Sequence, residues 1–169
     1  IPLTGGAEGI PSFAEILALV AGRVPLVVEL KDQTGELGQS DGALEQAAAE
    51  DAAGYDGPLA FMSFSPSAVA QIAAHAPERP RGRVTCAFDA PNWPGLSRAR
   101  RSELARIDGL EEAGVAFVSH QWQDLSRARI AALKAEGLPI LCWTIRSAVQ
   151  AARALAVADA ITFEGFDPA

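Results

Sequence analysis

Residues 25–31, Pro25-Leu26-Val27-Val28-Glu29-Leu30-Lys31, decide how the chain is read. An apolar run with a β-branched pair, Val27-Val28, follows the turn-prone Gly22-Arg23-Val24-Pro25, which predicts a short buried strand over 25–30. Strand side chains alternate between faces, so Glu29 and Lys31 share one face and Leu30 takes the other. A carboxylate and an ammonium then stand together at the C-terminal tip of the strand, where parallel α/β proteins keep their ligands. The carboxylate suits a hard cation and the lysine a phosphate oxygen. A salt-linked pair on an exposed strand end is the alternative that spacing alone leaves open.

Outward from this strand the chain alternates helices and strands. On its N-terminal side, Ser12 and Glu15 form a capping box for a helix whose apolar stripe is Phe13, Ile16, Leu17 and Val20. On its C-terminal side, an alanine-rich helix is expected from about Asp41 to Ala53, then a strand over 59–64. Ser65-Pro66 opens a helix to about Ala76. Further strands are expected at Arg83–Phe88, Val115–Ser119, Leu138–Ile145 and Asp159–Phe163, with helices at Ser97–Ile107, Asp124–Glu136 and from Ser147 to about Ala158. Six apolar strands separated by helices predict a parallel sheet, either doubly wound or part of a (β/α)8 barrel. Polar residues recur after the strands (Glu29 and Lys31, Ser63, Asp89, Ser119 and His120, Thr144, Glu164), which is the habit of a barrel mouth and favours a partial TIM barrel. No GxGxxG turn follows a strand, and neither a GxSxG elbow nor an HExxH pair occurs.

Composition narrows the partners. The chain has 169 residues, 49% apolar and 21% charged, with a formal net charge of -7. One domain spanning 1–169 is expected, and the acidic balance disfavours nucleic acid and anionic membrane surfaces. Cys86 and Cys142 each lie in an apolar run and read as small buried residues, not a disulfide framework. No apolar run approaches the roughly 20 residues of a membrane span. The N-terminal Ile1-Pro2-Leu3-Thr4 has no signal-peptide pattern; a cytoplasmic location is expected, and any signal peptide would lie upstream of this chain.

Four motifs in one order carry a family resemblance: Val-Glu-Leu-Lys at 28–31, Met-Ser-Phe-Ser-Pro at 62–66, Gly-Leu-Pro-Ile-Leu-Cys-Trp-Thr-Ile at 137–145, and Asp-Ala-Ile-Thr-Phe-Glu-Gly-Phe at 159–166. Together with Ile10-Pro11-Ser12-Phe13-Ala14-Glu15-Ile16-Leu17, they resemble the later part of a glycerophosphodiester phosphodiesterase. The resemblance covers almost the whole chain. It implies a metal-dependent (β/α)8 enzyme that hydrolyses glycerophosphodiesters to glycerol 3-phosphate and an alcohol. By that match Glu29 is a ligand to Mg²⁺ or Ca²⁺, Lys31 contacts phosphate, and Trp143 lines the substrate mouth. The family's opening His-Arg-Gly strand, its Asn-Thr segment, the next Glu and Asp ligands and the second histidine have no counterpart in these residues. The resemblance therefore implies six βα units corresponding to strands three to eight, and an isolated chain that is inactive. A non-catalytic barrel remnant that binds phosphate or another protein is the alternative. Two open sheet edges would lead to a homodimer or to pairing with the missing N-terminal part of the barrel.

His75 is a surface residue. His120 follows a strand, where it would line the substrate mouth as a polar group, or serve as a structural residue, and not act as an acid or base. Trp93 and Trp122 lie in loops beside strand ends, where they either pack over the mouth or, as the favoured reading, shield the core; Arg98, Arg100, Arg101 and Arg106 form a solvated helix face. Arg146 is placed for a phosphate; Glu164 has no catalytic part.

Overall fold

The computed structural model describes residues 4–6 and 9–168, so the reading of Ile1-Pro2-Leu3 falls outside it. The order of elements is α1 (Phe13–Val20), β1 (Leu26–Glu29), α2 (Ala43–Ala52), β2 (Leu59–Ser63), α3 (Pro66–His75), β3 (Arg81–Thr85), α4 (Arg98–Ala105), β4 (Phe117–Gln121), a 3-10 turn (Trp122–Asp124), α5 (Ala128–Ala135), β5 (Ile140–Ile145), α6 (Ala148–Ala154) and β6 (Ala160–Phe163). All six strands are parallel, in the order β1-β2-β3-β4-β5-β6. That order bears out the partial barrel expected from the sequence and excludes the doubly wound alternative. A doubly wound sheet reverses direction at a switch point, whereas each strand here is laid beside its predecessor. The sheet is a partial barrel of six βα units.

Local chemistry explains the helix starts. Ser12 and Glu15 make the expected capping box, with Ser12 N–H donating to Glu15 Oε2 at 2.7 Å. Ser65 caps α3 ahead of Pro66, and Ser97 and Ser147 cap α4 and α6 in the same way. Proline precedes several strands, where its missing N–H costs no ladder bond. Its carbonyl still serves: Pro58 accepts from Leu26 N–H, Pro80 from Phe61 and Pro139 from Val118, at 2.9–3.0 Å.

β3 starts two residues before its expected position, and β4 and β5 start two residues after theirs. β3 begins at Arg81, which pairs with Phe61, and ends at Thr85; Phe88 has φ 52°, outside strand geometry. β4 begins at Phe117, since Val115 N–H is taken by Leu110 in the preceding turn, and runs on through His120 to Gln121. The helix expected from Asp124 starts at Ala128 after the 3-10 turn, and α6 stops a turn early.

Pairing register sorts the side chains into two faces. Leu26, Val28 and Leu30 of β1 pack with Leu59 and Phe61 of β2 against Leu17, Ala48, Ala52 and Ile72 of the helices. Val118, Ile140, Cys142 and Ile145 pack likewise against Ile130, Leu133 and Ala151. Those residues define the helix side of the sheet. The opposite, concave side carries Val27, Glu29, Met62, Gly82, Val84, Phe117, Ser119, Leu141 and Trp143. Phe117 leans over Gly82: a Cβ built on that glycine would lie inside van der Waals distance of the ring. The middle of the concave side is thus filled from within, whereas its margins are open at Val27 on β1 and Ala160, the partner of Leu141, on β6.

Candidate functional site

β1 delivers Glu29 at its last residue and Lys31 two residues beyond, both on the concave side. Lys31 Nζ lies 2.7 Å from Glu29 Oε1, with the side chains 72% and 23% exposed respectively. That oxygen is nevertheless buried and receives no hydrogen bond of acceptable geometry. The contact is charge against charge, and the ammonium must move off this oxygen before a hydroxyl or a cation can reach it.

The pair opens onto a cavity of about 300 Å³ lined by Glu29, Leu30, Lys31, Asp32, Gly35, Leu37, Phe64 and Trp93. The wall opposite the charges is aromatic. Phe64 lies 5.2 Å from Trp93 and 5.5 Å from Trp143 between ring centroids, and Phe88 lies 5.2 Å from Trp93. Trp143 Nε1–H donates to Ser119 O at 3.1 Å, which fixes its indole on the concave side beside Phe64. The rim of the cavity is pinned by local bonds. Asp32 accepts from Thr34 Oγ1 at 3.0 Å and from Leu37 N–H at 3.1 Å, and Arg100 donates to Leu37 O. Leu37 and Phe88 are both buried with φ 51° and 52°, a left-handed conformation that costs a bulky side chain about 1–3 kcal/mol. Both belong to the apolar cluster beneath Phe64 and Trp93.

His120 is a correction. It does not line the mouth: its strand neighbours Val118 and Cys142 face the helices, and His120 is 0% exposed on that side. Its Nδ1 lies 2.7 Å from Thr85 Oγ1 and its Nε2 3.2 Å from Asp124 Oδ2; Arg127 reaches the same carboxylate oxygen at 3.5 Å. Burial pushes the His120 pKa down, with Asp124 opposing it. The fully consistent arrangement is a neutral ring that donates from Nε2 to Asp124 and accepts from the Thr85 hydroxyl. His75 is exposed at the end of α3, so neither histidine reaches the cavity. Arg146 is also committed elsewhere, with its Nε 2.7 Å from Glu164 Oε1 on the exposed β5–β6 end. Both cysteines are buried and free, with burial pushing the Cys142 thiol up to about 11.

Among the described residues, no three His, Cys, Asp or Glu side chains are grouped to hold a metal ion. Glu29 Oε1 is ion-paired with Lys31, and Asp32 is spent on its own loop. One carboxylate does not make the six to eight oxygens that Ca²⁺ takes, so the donors among the described residues do not by themselves fit the ion.

The cavity wall was only partly legible in the sequence. Trp143 was, through the motif at 137–145. Phe64 had a parity signal, since Met62 pairs with Glu29 and Phe64 therefore stands level with Lys31. Trp93, Leu37 and Phe88 come from irregular loops and carried no periodic signal.

No family model and no curated protein matches the chain by sequence. Solved structures do match. A phosphodiesterase of Oleispira antarctica, in complex with the product sn-glycerol-3-phosphate, is 23% identical with a TM-score of 0.66, covering 90% of this chain and 57% of that one. A Silicibacter pomeroyi protein provisionally assigned as a glycerophosphoryl diester phosphodiesterase is 20% identical (TM-score 0.68; 90% and 52% covered). A glycerophosphodiester phosphodiesterase of Parabacteroides distasonis is 16% identical (TM-score 0.62; 90% and 59% covered). At these identities the likeness establishes a shared fold, and the chain spans between half and two thirds of each of these structures. Among the described residues, no helix is long and apolar enough to cross a membrane.

Proposed function

We propose that this chain is the C-terminal portion of a metal-dependent glycerophosphodiester phosphodiesterase, a phosphoric diester hydrolase that yields glycerol 3-phosphate and an alcohol. The observation that carries the reading is the Glu29–Lys31 pair, set 2.7 Å apart on the concave side at a strand's C-terminal end and facing an aromatic wall. The likeness to solved phosphodiesterases, one of them holding sn-glycerol-3-phosphate, supports it.

In this reading Lys31 places a mobile positive charge beside the phosphate, where negative charge gathers during displacement at phosphorus. Glu29 holds that ammonium at the cavity rim and, once it moves off, offers Oε1 to a ligand hydroxyl or, in the complete enzyme, to Mg²⁺ or Ca²⁺. When bound, such an ion would neutralise the phosphodiester as a Lewis acid. Trp143 supports the mouth by bracing Phe64. General acid–base groups contribute typically 10²–10⁴-fold, and no histidine of this chain reaches the cavity. The isolated chain is therefore expected to bind without turnover. The open margins of β1 and β6 have unpaired N–H and C=O groups that suit a second copy or further strands of the barrel.

Glycerophosphocholine hydrolysis by the purified chain, with Mg²⁺ or Ca²⁺ added, tests this. No turnover is expected, alongside retention of phosphate-ester binding that Lys31→Ala removes. Metal-dependent hydrolysis abolished by Glu29→Ala would disprove inactivity of the isolated chain, and absence of any phosphate-ester binding would disprove the site.

A further inference from the structure

We infer that Trp93, together with Phe64, forms a contact surface for the carbon skeleton of one organic arm of the phosphate ester, and so makes the site prefer organic phosphates over inorganic phosphate. The inference rests on the proposed function and deepens it, since it assigns ligand recognition to a loop residue outside every motif quoted above. Trp93 sits in the irregular β3–α4 connection, within Asp89–Gly95, yet it lines the same cavity as Glu29 and Lys31.

Three features point to a ligand and not to simple core filling. The first is chemical asymmetry: the cavity has a carboxylate, an ammonium and a carboxylate-pinned loop on one side and the Phe64 and Trp93 rings on the other. An amphipathic ester, with phosphate at one end and carbon at the other, fits that division. The second is construction. Leu37 and Phe88 are held left-handed, and their buried side chains form the bed beneath the two rings. Backbone strain at two bulky residues around one cavity marks a surface kept in place, as at ligand clamps. The third is the loop itself. Asp89 accepts from Asn92 N–H at 3.0 Å, and from the Asn92 side-chain amide at 2.9 Å, so the turn that presents Trp93 is internally tied. Trp93 N–H also donates to Asp89 O at 3.1 Å. The cavity's size, about 300 Å³, is at the lower end for ligand pockets, which suits a small polyol phosphate or one arm of a diester.

Titration of the 169-residue chain with sn-glycerol 3-phosphate and, separately, with inorganic phosphate tests this, using the indole N–H resonances of Trp93 and Trp122 as reporters. Trp122 packs against the helix-side core and serves as the internal control. Each buried methylene strengthens binding about fourfold, so two to three partly buried carbons favour the ester by about tenfold. The expected result is a shift of the Trp93 resonance but not that of Trp122, with glycerol 3-phosphate bound about tenfold more tightly than phosphate. Trp93→Ala should bring the two ligands within about threefold of each other, and Lys31→Met should weaken both. Equal affinity for the two ligands, or a preference that Trp93→Ala leaves intact, overturns the role of Trp93 while leaving the Glu29–Lys31 site standing. Binding of neither ligand overturns both. Should Trp93→Ala not fold, the wild-type resonances and the two wild-type affinities decide the matter unaided.

Discussion

Two polar clusters stand at the same end of the sheet and on opposite faces. On the concave side, Glu29 and Lys31 are close, partly exposed and incompletely bonded, beside a cavity. On the helix side, Thr85, His120 and Asp124 are chained at 2.7 and 3.2 Å around a ring with no exposure. Residue type alone would favour the histidine as the functional group, because its ordinary pKa lies near neutrality. Bonding and access reverse that ranking. A polar group whose partners are all supplied from within serves stability, and one left short of a partner beside a cavity is available to a ligand.

Substitutions on the two faces should therefore have opposite signatures. The largest stability effect is expected for His120→Ala, which leaves a cavity and strands the Thr85 hydroxyl and part of Asp124's bonding. A loss of about 2–4 kcal/mol in urea unfolding is expected, with ligand affinity unchanged in the folded fraction. A loss below about 1 kcal/mol would mean that the buried chain holds little together. Next comes Gly82→Ala, where the new methyl must displace the Phe117 ring in a packed concave core; about 1–3 kcal/mol is expected from the same measurement.

A pH dependence sharpens the contrast. Burial lowers the His120 pKa in the folded state, so the unfolded chain binds a proton first as pH falls. Stability contributed by the neutral ring is complete above the unfolded value of about 6.5 and is lost as pH drops from there towards the folded value. The unfolding midpoint should fall on acidification through this window, and His120→Asn should flatten that slope. A midpoint that rose as pH fell through the window would contradict a buried neutral ring. The smallest stability effect belongs to the concave pair. Lys31 is largely exposed, and pairs of that kind contribute about 0–1 kcal/mol, so Lys31→Met should leave the unfolding midpoint almost unmoved.

The two clusters also show what a sequence can and cannot reveal. The strand at 25–30, the Ser12–Glu15 capping box, the Ser65-Pro66 helix start and the parallel α/β class follow from spacing and turn chemistry that act within a few residues. The barrel was favoured over a doubly wound sheet by the polar residues that recur after the strands and by the order of the motifs, and the strand order, a long-range property, bears it out. His120 was misplaced because β4 begins and ends two residues later than its apolar run suggests, which puts His120 inside the strand. There the pairing partners Thr85 and Cys142 set its face. Leu37 and Phe88 were invisible as a cavity wall, and Trp93 could not be assigned between the mouth and the core, because irregular loops have no period to read. Their association depends on contacts between segments about 25 to 60 residues apart, such as Leu37 with Phe88 and Phe64 with Trp93.

Isothermal titration of sn-glycerol 3-phosphate into the wild-type chain and the Lys31→Met variant, at matched folded fraction, is the most direct measurement of whether the concave pair is the functional one. Loss of binding by tenfold or more with an unchanged unfolding midpoint is the predicted result, as befits removal of a charged phosphate contact worth about 1.5–3 kcal/mol. Equal affinity in the two proteins would contradict it and return Glu29 and Lys31 to the status of a salt-linked strand end.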